Sequence, residues 1–534
     1  MEKTEIKSNE MLSCGCCSQS RRTFLSNCVK CVGAVGAFSG FIVPSMLAAE
    51  SNVLKQKSDT KVRVVFILWE PLQTRATWPN AGFDFNPVME KILNSLSAGC
   101  PRIEFAQSMV SSPEEAKKVI ESDQAEGKIE GYLVLQLNNW TEGIKQVVES
   151  GKPVLYADFL YAGSGGFLTR TAGHIRSKAD NFAHMSSGNF AHVVAAVNCF
   201  PLAKEGGNKA FVDGVKKIRQ KITASVKVNN KCLEDKLDLL SIEDLLKELK
   251  TKKVIAFEGE SSIRESTKAT LGIEIIPLKF AELNELWEKA DKDQAMGIVR
   301  RWKSSAVGIE DVSDETLEKS ARMYLAMKQC LKNHDACAVT INCLGGFYGG
   351  QIQAYPCLGF HELLNEGLIG ACECDMVSTV TEVVMTTLTK GRPGFISDPV
   401  MDVATRQIIY AHCVASNRPF GPKGPVNPFT IMTHSEDRKG ASLRSTLPVG
   451  YMTTTLEMHP TRKEILFHQA KAVDNSTEDR ACRTKLATVP VGDFEKLYTE
   501  WDRWGWHRVT FYGDLKNPVF ALADKLGWKV VEET

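Results

Sequence analysis

The chain has 534 residues, of which 43% are hydrophobic and 24% charged, and its formal net charge is +1. That length exceeds a single domain at the usual ~150 residues each, and the composition is that of ordinary globular proteins. With so near-neutral a balance, nothing in the overall charge argues for nucleic acid or an anionic membrane surface as partner, and neither is expected.

In chain order, the first feature is an N-terminal leader. Ser20-Arg21-Arg22-Thr23-Phe24-Leu25 precedes a weakly apolar stretch, Cys31 to Leu47, which ends in Ala48-Ala49-Glu50. Paired arginines before such a stretch read as a twin-arginine export signal over 1–49, recognised by the twin-arginine translocation machinery. The stretch is short and rich in Gly and Ala for a span of ~20 residues. The expectation is therefore a periplasmic or otherwise exported protein with no stable membrane span after processing. Residues 50–60 are polar and read as a linker. Of sixteen cysteines, five (Cys14, Cys16, Cys17, Cys28, Cys31) lie in the leader. The remaining eleven are odd in number and scattered, and most are expected to be buried small hydrophobes.

Residues 61–251 read as a first α/β domain. Lys61–Trp69 (KVRVVFILW), Gly131–Gln136 (GYLVLQ) and Lys152–Asp158 (KPVLYAD) are buried-strand patterns, with helices expected around Val88–Leu96 and between Trp140 and Ser150. Ala191–Phe200 (AHVVAAVNCF) reads as a further buried strand, and Lys209–Thr251 as charged and mostly helical. Residues 252–358 restart the pattern with Lys252–Phe257 (KKVIAF), Ile273–Leu278, a helix N-capped by Ser313, and Ala336–Cys343. The fold class is thus α/β, with two Rossmann-like parallel α/β domains followed by a mixed, β-rich C-terminal domain over 359–534.

That last domain carries the chemistry. In Gly370-Ala371-Cys372-Glu373-Cys374-Asp375 an acid arrives at the end of an apolar run, just before a helical pattern that Gly391 and Pro393 stop. Phe395-Ile396-Ser397-Asp398 ends the next apolar run in a second acid. His412 interrupts the strand-like Ile408–Cys413, and His507 opens the strand-like Trp506–Tyr512. Two carboxylates with one or two imidazoles suit a divalent ion of hard-to-intermediate preference, Mn²⁺, Mg²⁺ or Co²⁺. Cys372 and Cys374 read as packing neighbours of the acids.

The stretch from about Gly359 to the C-terminus resembles the C-terminal part of the L-fucose isomerase and L-arabinose isomerase superfamily. The likeness rests on GACECD (370–375), FISD (395–398), YAHC (410–413), CRTKLATVPV (482–491) and the closing GWHRVTFYGD (505–514) and LADKLGWKVVE (522–532). It implies a metal-dependent aldose–ketose isomerase acting through an enediol on L-fucose, L-arabinose or a related sugar. Glu373 and Asp398 would be catalytic acid/base groups as well as metal ligands. His507 and His412 would complete the ligand set for a Mn²⁺-type ion. Asp402 is the alternative to Asp398, and Asp375 to Glu373. His434, His459 and His468 fall nearby without matching a motif. Arg483 and Trp506 are candidate sugar contacts, with Arg438 and Lys439 as further cations in reach. The resemblance also implies a homo-oligomer, trimer or hexamer. The competing readings are an exported sugar-binding or sensing protein without turnover, and another metal-assisted carbohydrate enzyme such as an epimerase or lyase.

Overall fold

The computed structural model describes residues 60–259 and 262–534. The leader expected over 1–49, and all but the last residue of the linker over 50–60, lie outside them.

The first α/β unit is a five-stranded parallel sheet of β1 (Thr60–Ile67), β2 (Ile103–Val110), β3 (Gly131–Gln136), β4 (Val154–Asp158) and β5 (Phe182–Met185), in the order β2-β1-β3-β4-β5. β3 and β4 are buried along their whole length, as strands covered by helices on both faces must be. The order reverses between β1 and β3, so a crevice opens beyond the carboxyl end of β3. Gln136 ends that strand, and Asn139 and Trp140 follow it at once.

One sequence expectation is corrected here. The run expected as a strand at Ala191–Phe200 is the helix Phe190–Val197, and the fifth strand lies earlier, at Phe182–Met185. A short apolar run has no decisive period. Asn189 settles it by accepting a hydrogen bond from the Ala191 amide, and the buried residues Val193, Ala196 and Val197 then share one helical face. The charged segment is helical over Leu202–Ser225 and Ile242–Leu249, with residues 226–240 between them outside any helix or strand.

The second unit is a parallel sheet of β6 (Lys253–Phe257) and β7 (Glu274–Leu278), joined after β8 (Gly308–Glu310) by β9 (Ala338–Ile341) and β10 (Ile369–Cys372), in the order β10-β9-β6-β7. Its edge strand therefore comes from beyond residue 358. The helix Asp314–His334 starts as expected, with the Ser313 hydroxyl accepting from the Thr316 amide.

The third part is an antiparallel barrel. It uses β11 (Phe395–Asp402) and β12 (Gln407–His412). After β13 (Phe429–Met432) and β14 (Ser442–Ser445), which pair with β8 in a small separate sheet, it adds β15 (Met452–His459), β16 (Glu464–Asn475), β17 (Thr484–Pro490) and β18 (Arg508–Tyr512). The order β15-β18-β11-β12-β17-β16 closes when β16 pairs back with β15, which leaves those strands no free edge. β19 (Lys529–Glu532) lies parallel to the start of β16. Inside the barrel wall Glu533 accepts from Arg508 Nη2 at 2.9 Å and faces His468 Nδ1 at 2.9 Å, and His468 Nε2 meets the Tyr410 hydroxyl at 2.6 Å. The side chains of Glu533, Arg508 and His468 are all inaccessible to solvent, so the charges are compensated by one another rather than by water, with Arg508 Nε left unpartnered among the described residues.

Candidate functional site

Glu373 leaves the end of β10 in the left-handed region, with φ 61°, and Cys374 follows at φ 52°. Two consecutive non-glycine residues there cost of order 1–3 kcal/mol each. The turn persists because Asp375 begins the next element: its Oδ1 accepts from the amides of Val377 and Ser378 and caps the helix Met376–Leu388. The strained turn lifts the Glu373 carboxylate off the end of the second sheet toward the barrel.

The barrel answers with three side chains. Asp398 lies on β11, His412 ends β12 and His507 directly precedes β18, and these strands are neighbours in the order β18-β11-β12. The register that pairs Ser397 with Arg508 carries on to bring Asp398 beside His507. Glu373 Oε1 stands 3.5 Å from His412 Nε2, Glu373 Oε2 3.7 Å from His507 Nε2, and Asp398 Oδ1 3.7 Å from the same His507 Nε2. One donor atom each from Glu373, His412 and His507 falls within 4.8 Å of the others. Donors held at 2.0–2.2 Å from one tetrahedral ion sit about 3.5 Å apart.

Two further features fit a cation. Both ring nitrogens of His412 are buried with no hydrogen-bond partner among the described residues, an orphaned state that a metal would relieve. His507 Nδ1 lies 3.0 Å from Asp375 Oδ2, which orients the ring so that Nε2 faces the carboxylates, the carboxylate–histidine pairing typical of metal ligands. Glu373 and Asp375 thus hold different places, and neither substitutes for the other.

The charges are strongly coupled. Burial alone would raise Glu373, but the adjoining His412 and the charge on His507 outweigh it and hold the carboxyl down at about 2. Burial alone would lower His507, yet Asp398, Asp375 and Glu373 lift it to about 10. His412 rises to about 9 against its own burial because of Glu373. Burial pushes Asp398 up to about 7, against the pull of both imidazoliums. With no cation bound, the two imidazoles thus carry protons at neutral pH, and those protons must leave before Nε2 can ligate. Between about pH 7 and 9 each ion bound displaces close to two protons, so apparent Mn²⁺ affinity is expected to rise steeply with pH, by up to about 100-fold per unit, with the rise steeper still below about pH 7 where Asp398 is protonated as well. Titration calorimetry at several pH values checks this, and a pH-independent affinity contradicts it.

Glu373, Asp375, Asp398 and His507 line a cavity of about 270 Å³ whose remaining walls are Trp78, Asn139, Trp140, Leu344, His434, Glu436, Cys482, Gly505 and Trp506, with His412 buried behind them. Trp140 and Trp506 approach to 4.2 Å between ring centroids. Asn139 is fixed by accepting from the Gly166 amide at 2.7 Å, and any side chain at Gly166 would collide with the Asn139 carbonyl. Burial raises the Glu436 carboxyl to about 8, with the Tyr348 hydroxyl donating to it at 2.7 Å.

The other sequence candidates are placed as follows. Trp506 lines the cavity, whereas Arg483 does not: it donates to the Thr433 carbonyl and hydroxyl and to Asp479. Asp402 accepts from the amides of Gly188 and Ala404 and shapes a turn away from the cavity. Arg438 binds Asn80 and Asp479, and Lys439 is exposed. His434 reaches the cavity and stacks on Tyr355, His459 sits beside Trp504, and His468 belongs to the barrel core. The eleven described cysteines are free thiols, and eight are buried. Sequence reading missed Asn139, Trp140 and Glu436. The signal for the first two was their position directly after a buried parallel strand.

Asp375→Asn isolates the role of this carboxylate toward His507, because an amide oxygen can still cap the helix while the other position becomes a donor. Mn²⁺ affinity is expected to fall about 10–100-fold, with the unfolding transition nearly unchanged; equal affinity in variant and parent overturns the assignment.

No protein-family model matches the chain. A sulfoquinovose isomerase from Priestia aryabhattai is 22% identical over 270 residues, covering 49% of this chain and 58% of that protein. One from Clostridium sp. (strain MSTE9) is 26% identical over 265 residues, covering 47% of this chain and 57% of that protein. The matched region thus spans less than two thirds of each relative. A periplasmic ribose ABC transporter from Conexibacter woesei DSM 14684 is 13% identical over 53% of this chain and 72% of that one, with a TM-score of 0.16, a likeness too slight to carry an argument. Across about half its length, the chain is similar to sugar isomerases.

Proposed function

We propose that the cavity is the active site of a metal-dependent aldose–ketose isomerase whose substrate is an uncharged sugar such as L-fucose, L-arabinose or a close relative. The observation that carries this reading is the convergence of Glu373, Asp398, His412 and His507, with the buried, unpartnered nitrogens of His412 among them. Glu373, Asp398, His507 and His412 would hold a divalent ion, Mn²⁺ in this reading, and such an ion would act as a Lewis acid on the substrate oxygens of an enediolate.

The chain's own residues supply the rest. Isomerisation takes a proton from C2 of the aldose and returns one to C1. Asp398, whose carboxyl burial raises in the ion-free site, is the group placed to accept and return it. Glu373, held down at about 2, stays an anion throughout. Glu436, protonated at neutral pH, can donate to a substrate oxygen. The rings of Trp140 and Trp506 offer apolar faces to a sugar ring. The volume lies just below the ~300–1,000 Å³ usual for ligand pockets, which suits one monosaccharide.

The relatives are named for sulfoquinovose, a different preference. Among the described residues, those lining this cavity include four carboxylates, Glu373, Asp375, Asp398 and Glu436, and no lysine or arginine. A sulfonate would meet no guanidinium or ammonium there. The test is a panel of aldoses, neutral and sulfonated, assayed for ketose with Mn²⁺ and with chelator. Ketose from a neutral aldose, lost on chelation, is expected. Turnover of sulfoquinovose alone overturns the substrate class, and binding without ketose or solvent exchange at C2 favours a non-catalytic binder. The reading keeps export by the twin-arginine route and a homo-oligomeric assembly as parts of the same proposal.

A further inference from the structure

A second set of metal-ligating side chains lies on the second α/β unit and shares no residue with the cavity. Cys330 and His334 stand one turn apart on the helix Asp314–His334, so both project from one face. The helix Phe280–Lys289 brings Glu282 against them. Glu282 Oε1 is 2.7 Å from His334 Nε2 and 3.9 Å from Cys330 Sγ. One donor atom from each residue lies within 4.8 Å of the others.

The three are graded in depth. Cys330 is fully buried, while the side chains of His334 and Glu282 are 27% and 36% exposed. The cluster is a shallow notch with sulfur at its floor and an open side toward water. An ion pair between Glu282 and His334 would account for two members, but it leaves a thiol buried against a carboxylate with only a long, weak contact.

We propose that Glu282, Cys330 and His334 form a Zn²⁺ site that clasps the two helices, with solvent water as the fourth ligand. Sulfur, imidazole and one carboxylate are the donor types zinc takes, and three protein ligands plus water make a tetrahedral site. Thiolate and carboxylate together balance the charge of the ion exactly once, with the imidazole neutral; binding sends the Cys330 thiol proton to the buffer.

Co²⁺ serves as the coloured stand-in for Zn²⁺ in the test. Metal-stripped full-length protein is titrated with Co²⁺ and followed by absorbance. The expected result is a thiolate-to-cobalt charge-transfer band that saturates within two equivalents, the cavity residues taking up the other, is displaced by Zn²⁺, is absent in Cys330→Ser, and needs at least about tenfold more metal in His334→Gln. Cys482 borders the larger cavity, so dependence on His334, which lies at the exposed edge, assigns the band even where Cys330→Ser folds poorly. No band, or a band of unchanged affinity in His334→Gln, overturns the site. The reading does not depend on sugar turnover: a chain inactive on every aldose can still bind zinc here, and an active isomerase can lack this site.

Discussion

Glu373→Gln is expected to reduce kcat/KM for aldose isomerisation by about 10⁴ and to weaken Mn²⁺ binding in parallel. The glutamine keeps the size of the side chain but removes the anion that faces both His412 at 3.5 Å and His507 at 3.7 Å. It also presents an N–H where a cation would otherwise meet an oxygen. Glu373 takes no proton in this reading, so the loss comes from the missing ligand and the missing buried anion; a factor of about 10⁴ corresponds to about 5 kcal/mol, the size of the several kcal/mol that a Lewis-acid ion supplies. The two contributions separate by measurement. Kinetics at saturating Mn²⁺ report the chemistry, and calorimetric titration reports the affinity. A variant with parental Mn²⁺ affinity would remove Glu373 from the ligand set. The turn bearing residue 373 is already strained, with φ 61°. Glutamine neither adds to nor relieves that strain, so the thermal transition of the metal-free protein serves as the control.

Glu533→Ala is expected to have the largest effect on stability, about 3–5 kcal/mol. It stands one residue from the end of the sequence given, where a change is usually tolerated, yet it is 1% exposed. Its carboxylate answers Arg508 and His468, both inaccessible to solvent. Alanine strands the guanidinium in the barrel wall above Trp501, whose ring lies 3.8 Å from it. Burial alone would raise the Glu533 carboxyl; Arg508 and His468 outweigh it and hold it below the usual carboxylate value. A lowered folded-state value means that this contribution is present above the ordinary carboxylate pKa and is lost as pH falls through the depressed one, so the parent should lose stability in acid faster than the variant. Arg508 also donates to the His507 carbonyl at 2.8 Å, which couples this network to the site. Denaturant unfolding with and without Mn²⁺ measures both effects; a loss under 1 kcal/mol would mean the pair contributes little.

What the sequence made legible was mostly local. GYLVLQ and KKVIAF read as buried strands because β-branched and apolar residues fill them, and β3 and β6 match them closely. The helix after Ser313 was readable from its cap. The acids at 373 and 398 stood out because each ends an apolar run, where an unpaired charge is costly. What remained hidden depends on pairing across long separations. β10 adjoins β9 about thirty residues earlier and so joins the second sheet, a choice no local pattern encodes. Phe190–Val197 has the composition of a strand, and one asparagine cap turned it into a helix. Asp375 looked like a rival of Glu373 because the two acids are separated only by Cys374; both reach the cavity, but only the left-handed turn reveals Glu373 facing the Nε2 atoms of both imidazoles and Asp375 holding Nδ1 of His507. Arg483 looked like a free cation near the site, but its donors are taken up by Thr433 and Asp479.

Anomalous diffraction from crystals of the full-length protein grown with Mn²⁺ tests the shared-ion geometry most directly. The account expects a manganese peak enclosed by Glu373, Asp398, His412 and His507, about 2.0–2.3 Å from a donor atom of each ligand. A saturated crystal with no peak there, or with manganese held elsewhere while these four side chains keep their metal-free contacts, would contradict it.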